Sequence, residues 1–388
     1  MGFVVPSGIY SDLGTKELRE MLLNEGRIEL LVSITNGVAG GEVYFPDVHR
    51  SYKICMLIAQ NGVASDFVSA VYRIDPKTTP SPNSLLDFVS DSRNFLAIPV
   101  RLIEKLDPEN HAFFEFTSQE ESKLVDKLIS SAPSLGTIVD NAWNPDFVSG
   151  LHKTNHRNYF NQNQYGLPIY EGKNLAYFSE QIRPIEWWIV EADGGQLQAD
   201  YPYSRFGFRR IASSTNERTL VVSCVPAMSF NMYTLTTIRQ GVISRDREVF
   251  LAACMSSYVL DFLIRLQTFT SVAIFNVKTL PVPRLTAGDR FFDAIVPRAA
   301  RLTCTSAAFA DLWQAVMGEV WTPASGVSDA VARQSIRDEL DALVAHLYGL
   351  SRADFAHILA GFPLVFPDDA SGRAKKEALL RVYDRMKG

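Results

Sequence analysis

The sequence predicts a mixed chain in three parts: an α/β segment reading as the end of a larger sheet domain, an α+β segment, and a helical tail. Three observations carry this. Residues 1–75 alternate short apolar runs with one amphipathic helix. Residues 141–285 mix strand-like runs, polar turns and one apolar helical stretch. Residues 286–388 place apolar side chains at helical spacing. With 47% hydrophobic and 21% charged residues in 388, the composition is that of an ordinary globular protein, which excludes a chain disordered through most of its length.

Taken in order, GFVVPSG is a short apolar strand and GTKELREMLLNEG a helix ending at glycine, with Leu18, Met21 and Leu22 expected on its packing face. IELLVSIT, YKICMLIA and DFVSAVYRI follow as strands. A doubly wound cofactor domain needs more strands and a glycine-rich first turn. No G-x-G-x-x-G follows a strand in this sequence, so the chain is expected to begin inside a domain. Residues 76–140 read as a connector and small helical insert: DPKTTPSPNS, then SLLDFVS, VRLIEKL and ESKLVDKLISS. In 141–285, RFGFRRIAS and TLVVSCV are strands, VFLAACMSSYVLDFLIRLQ is a buried supporting helix, and NVKTLPVPR closes the unit. In the tail, Ile336, Leu340, Leu343, Val344 and Leu347 share a helical face that Gly349 caps, and Ser351 with Asp354 caps the next helix.

The start lacks a basic n-region and long apolar core, and the apolar run from Phe250 is interrupted by Asp261 and Arg265. These features point to a cytoplasmic protein without a membrane segment. Cys55, Cys224, Cys254 and Cys304 form no C-x-x-C pair and sit among apolar neighbours, so neither disulfides nor a zinc site is expected. The net charge of −5 hides a local asymmetry. Residues 151–290 carry 15 Lys and Arg against 11 Asp and Glu, and residues 201–247 hold seven Arg against Glu217 and Asp246. An arginine-only stretch suits bidentate contacts to phosphates and guanine edges.

Two stretches concentrate polar chemistry. In LPIYEGKNLAYF (167–178), Pro168 and Gly172 punctuate the backbone while Tyr170, Tyr177 and Phe178 flank an exposed-looking Glu171-Gly172-Lys173. WNPDFVSGLHKTNHRNYFNQNQYG is dense in Asn, Gln, His and aromatics, side chains that bond base edges and stack. Metal readings exist for Asp107, Glu109 and Glu115 near His111, for His152 with His156, and for the Pro145-Asp146…Glu171-Gly-Lys173 pattern of metal-dependent nucleases. The first matches no dense ligand set, the histidine pair has no acidic or cysteine ligand nearby, and the nuclease pattern is short and common. No metal site is expected.

These words, with YSRFGFRRIASSTNERTLVVSCVP (203–226), MSSYVLDFLIRLQ (255–267), VKTLPVP (277–283) and DELDALVAHLYGLSRADFAHIL (338–359), form an ordered series. Over roughly residues 1 to 360 the series resembles the target-recognition half of large bacterial adenine-specific DNA methyltransferases of the type IIG restriction-modification and phage-exclusion kind. GFVVPSG, the LRE helix and GEVYFPDVHRSYKICMLIA are similar to the last third of the class gamma, Rossmann-like methyltransferase sheet. The resemblance implies double-stranded DNA as partner, an upstream methyltransferase half as a second partner, and S-adenosylmethionine as cofactor of the complete enzyme, with none expected for this chain alone. The family's F-x-G-x-G-like loop and N-P-P-Y/F/W tetrapeptide are absent, and Asn144-Pro145 is followed by Asp146. The resemblance places Phe45, with Tyr44 beside it, at the aromatic that stacks on a flipped base. It also implies Lys153, Arg157, Lys173, Arg205, Arg209, Arg210 and Arg218 as DNA contacts. A specificity or inhibitor protein that binds DNA without methylating it is the alternative.

Overall fold

A computed structural model describes residues 1–387 apart from 38–42, 51, 63, 65, 77–78, 80, 109, 180, 213–215 and 268–270. Two compact units meet in sequence at Ser130 and Ser131. The first contains strands β1 (Gly2–Pro6), β2 (Gly26–Thr35), β3 (Lys53–Asn61), β4 (Phe67–Ile74) and β5 (Leu96–Pro99). Its helices are α1 (Gly8–Ser11), α2 (Lys16–Asn24), α3 (Pro82–Ser90), α4 (Val100–Leu106) and α5 (Gln119–Ile129). The expected strands are present in one sheet ordered β1-β3-β2-β4-β5, with β2 and β4 parallel and the other pairs antiparallel.

Alternation along the strands sends Leu31, Cys55, Leu57 and Ala70 to one buried face. The opposite face gathers Val32, Ile34, Val71 and Ile74 under Leu85, Phe88 and Val89 of α3. Toward β1 that second face is bare: Val4 and Ile58 are exposed. The packing face expected for α2 is corrected. Arg19 and Leu23 are buried while Leu18 and Met21 are exposed. The physical reason is Arg19, whose guanidinium turns inward to donate to the carbonyls of Asp12 (2.8 Å) and Asn110 (2.9 Å) and so fixes the helix rotation.

The three helical pieces predicted between 76 and 140 exist as α3, α4 and α5. They are not a separate insert, because β5 pairs with β4 from Phe67↔Pro99 to Ala70↔Leu96 and ties them to the first sheet. Within the DPKTTPSPNS connector, Lys77, Thr78 and Pro80 lie outside the described residues.

The second unit holds short strands β6 (Phe147–Ser149), β7 (Phe160–Asn161), β8 (Leu167–Tyr170), β9 (Trp187–Ile189), β10 (Arg205–Arg209), β11 (Val222–Val225), β12 (Phe230–Asn231) and β13 (Leu235–Ile238). They form two sheets, ordered β11-β10-β13-β6 and β12-β8-β9-β7. Gly166 enters β8 at φ 97°, and a Cβ there would fall 2.1 Å from the Ile189 carbonyl oxygen, so the close approach to β9 requires glycine.

Its helices are α6 (Glu191–Leu197), α7 (Arg245–Met255), α8 (Tyr258–Gln267), α9 (Ile274–Lys278), α10 (Arg290–Thr303), α11 (Ala310–Met317), α12 (Ala330–Leu347), α13 (Arg352–Ala360) and α14 (Ala370–Arg385). The supporting helix read as one piece is two, α7 and α8, bent by 65°. Ser257 Oγ donates to the Cys254 carbonyl (2.7 Å), and the Tyr258 amide donates to Asp341 of α12 (2.8 Å), which together hold the break. No single helix among the described residues is long and apolar enough to cross a membrane.

The tail does not separate near 285, since α10 packs on α7 and α12 and α13 pack on α8. Ile336, Leu340, Leu343 and Val344 are buried, Gly349 sits at φ 59°, and Ser351 and Asp354 form a capping box, all in keeping with the sequence pattern. The four cysteines are buried and unpaired.

Candidate nucleic-acid interface

In the first unit, the turn after β2 separates two adjacent aromatics. Tyr44 turns inward onto the Val32 cluster, and its hydroxyl donates to the Thr79 carbonyl (2.7 Å). Burial raises the Tyr44 pKa above the ordinary phenol value. Phe45 points out and is 43% exposed, and Phe3, Phe67 and Phe275 elsewhere in the chain are exposed too. It is therefore not a core aromatic.

In the second unit, four chain segments are sewn into one surface. Thr234, between β12 and β13, accepts from the Gly172 amide at Oγ1 (3.0 Å) and from the Arg210 amide at its carbonyl (2.9 Å). The Tyr233 amide donates to the Leu151 carbonyl (2.9 Å), drawing in the loop that carries His152, Lys153 and Arg157. Gly172 is required here because a Cβ would lie 2.8 Å from the Thr234 carbonyl oxygen. Beneath the turn, buried Asn174 accepts from the Glu171 amide (2.6 Å) and donates to the Pro184 carbonyl (2.7 Å), which sets Arg183 and Glu186 beside Lys173.

The surface chemistry is cationic with aromatic backing. The Lys153 ammonium and Arg157 guanidinium lie 4.4 and 4.2 Å from the centroid of Trp187, whose ring is part of the small core under β8 and β9. The His152 ring stacks on Tyr233 at 5.1 Å, and Arg210 lies 5.9 Å from the same tyrosine ring. Lys173 bridges Glu171 (3.0 Å) and Glu186 (2.8 Å), contacts that raise its pKa, with the Glu186 hydrogen bond the largest contribution. That same bond lowers the exposed Glu186 carboxyl below the ordinary range. Of the expected exposed triplet, Gly172 is buried, Glu171 nearly so, and Lys173 half-exposed. A concavity of about 260 Å³ opens between Glu171, Gly172, Lys173, Arg209, Ile211 and Thr234.

Other expected contacts lie inside the protein. Arg205 is fully buried and donates to the carbonyls of Asp200 (2.6 Å), Tyr203 (2.8 Å) and Ser229 (2.7 Å); burial pulls its pKa down to about 10. Arg218 pairs with fully buried Asp261 (2.6 Å) and lies against the Tyr258 ring. Both are corrected from DNA contacts to structural cations. Arg209 is half-buried and donates to the Leu175 carbonyl, so its one face toward the concavity remains. Arg245 is likewise engaged, with buried Glu248, whereas Arg239 pairs with Asp146 at the surface. The arginine richness of 201–247 thus serves the interior more than the surface. Sequence reasoning missed Trp187, Arg183, Tyr233 and Thr234; the paired Trp187-Trp188 after Arg183-Pro184 was the available signal.

The metal readings are dispersed by geometry. Asp107 accepts from Asn110, Glu115 accepts from Lys53 and Tyr10, and Glu109 lies outside the described residues. The His152–His156 segment forms turns rather than a helix, and His156 Nδ1 accepts from the His152 amide (3.2 Å). Asp146 is held by Arg239 (2.6 Å), whose hydrogen bond lowers its pKa. No trio of His, Cys, Asp or Glu suited to a metal occurs among the described residues.

No protein-family model matches the chain, and no curated protein matches it. Among solved structures, the chain is similar to one described as the type IIL restriction-modification enzyme MmeI in complex with DNA. The TM-score is 0.45 and the identity 10%, covering 99% of this chain and 49% of that one. The chain thus spans about half the length of that enzyme.

Proposed function

We propose that this chain is the DNA target-recognition part of a site-specific adenine-N6 DNA methyltransferase of a restriction-modification or phage-defence system in the cytoplasm. The observation that carries the reading is the sewn surface of the second unit. There Lys153, Arg157, Lys173, Arg183 and Arg210 outnumber two carboxylates, and aromatic rings support the cations. Such a surface supplies phosphate neutralisation together with acceptors and donors for base edges. Phe45 adds an exposed ring for an extruded base, whose stacking offsets part of the unpairing cost.

In the complete enzyme S-adenosylmethionine supplies the methyl group. The sequence carries no G-x-G-x-x-G or F-x-G-x-G-like loop for that cofactor and no N-P-P-aromatic tetrapeptide to hold the adenine amine. Both belong to the proposed upstream methyltransferase half.

Selection of duplexes from a randomised pool by the full chain tests the reading. A reproducible base preference is expected. A pool that emerges bound but unenriched at every position would overturn target recognition and leave non-specific binding.

A further inference from the structure

The Phe45 turn is gripped by a single buried side chain. Asn36, at the end of β2, is fully buried, and its amide closes on both backbone groups of Phe45. Oδ1 accepts from the Phe45 amide (2.8 Å), and Nδ2 donates to the Phe45 carbonyl (3.0 Å) and the Val48 carbonyl (2.7 Å). The Asn36 backbone joins in: its amide donates to the Tyr52 carbonyl (2.8 Å), and its carbonyl accepts from the Tyr44 amide (2.9 Å). The side-chain bonds use acceptor and donors of one amide at once, which no carboxylate, hydroxyl or apolar side chain of that size can reproduce.

The consequence is directional. An exposed turn ordinarily samples several backbone conformations, each sending its side chain in a different direction, and ordering it on contact with a base costs conformational entropy. Here the peptide groups on either side of the Phe45 Cα are fixed before any ligand arrives, while Tyr44 is tied to Thr79. We infer that Asn36 is the positioning residue for Phe45, holding its ring outward and ready to stack on an extruded purine. The inference rests on the base-stacking reading of Phe45.

The test uses the full chain and two duplexes. One is fully paired; the other carries 2-aminopurine opposite an abasic site, an unpaired base that needs little work to extrude. Wild type is expected to bind the second more tightly and to change its 2-aminopurine fluorescence. Phe45→Ala should lose the fluorescence change and on the order of ten-fold of the preference, the scale of one stacked base. Asn36→Ala should lose the same amount although Phe45 is present, with affinity for the paired duplex unchanged. The double variant should lose no more than either single one, a non-additivity that a merely structural asparagine does not produce.

Asn36→Ser is uncharged and keeps one hydroxyl in place of the amide, so it cannot hold both Phe45 peptide groups at once, and is expected to give a reduced signal. If Asn36→Ala fails to fold, Asn36→Ser decides: a folded protein with reduced signal supports the inference, and one with the full wild-type signal overturns it. Wild type that binds paired duplex but ignores the abasic probe would sink the stacking role of Phe45 itself. A wild-type preference that survives intact in folded Asn36→Ala overturns only the role of Asn36.

Discussion

Removing Asp261 should cost the second unit a large part of its stability. Its carboxylate is fully buried and receives Arg218 Nε (2.6 Å), the Thr219 amide (3.1 Å) and the Leu220 amide (2.9 Å). Asp261→Ala leaves the guanidinium without its counter-charge, a change that costs about 3 to 5 kcal/mol for buried pairs. The two amides lose their acceptor in the same step. For a domain of this size each kcal/mol moves the midpoint by roughly 2 to 4 °C, so the apparent Tm should fall on the order of 10 °C. Differential scanning calorimetry reads this directly. Replacing both partners, as in Arg218→Met with Asp261→Leu, should recover the part of the loss that comes from the stranded charge, while the Thr219 and Leu220 amides still lack their acceptor. A loss below about 1 kcal/mol for Asp261→Ala would refute the buried-pair account. Duplex affinity that drops in Arg218→Ala at unchanged Tm would return Arg218 to the DNA contacts the sequence suggested.

The purified chain should incorporate no labelled methyl group into DNA from S-adenosylmethionine, because the cofactor loop and amine-holding tetrapeptide are absent; incorporation without a partner protein would contradict this. Trp187→Phe, which keeps a ring in the core but offers a weaker face to Lys153 and Arg157, should weaken duplex binding by up to about 1 kcal/mol in fluorescence anisotropy, whereas Trp188→Ala should not. Glu248 is buried, and burial outweighs Arg245 to push its carboxyl from 4.5 up to about 7. An acid with a raised folded-state pKa gives its full stability below the unfolded value, and loses it as pH rises through the folded one. Wild type should therefore lose on the order of 3 kcal/mol relative to Glu248→Gln between about pH 4.5 and 7. Parallel pH profiles for the two proteins would count against it.

The strands of residues 2–74 were legible because their apolar runs are short and β-branched, and the tail because its spacing is helical over three turns. The α2 face was not, since a sequence pattern cannot show that Arg19 will be buried to serve backbone carbonyls from residues as far away as Asn110. The same limit governed the arginines of 201–247. Composition gives charge, but whether a guanidinium meets solvent or Asp261 depends on contacts more than forty residues apart. Phe45 could be chosen from its neighbours; Asn36, nine residues earlier, could not, because its role lies entirely in the geometry of a turn.

The central claim, that the second unit engages duplex DNA through its surface cations, is tested most directly by the salt dependence of binding. Each neutralised phosphate contributes a slope of about −0.9 in log K against log salt on duplex DNA. The expected result for wild type is a steep linear fall. Lys153→Ala with Arg157→Ala should make it shallower by up to about two contacts, while the buried-residue variant Arg205→Lys should leave the slope unchanged. Binding that stays flat from low to moderate salt, or a slope untouched by loss of Lys153 and Arg157, would contradict the account.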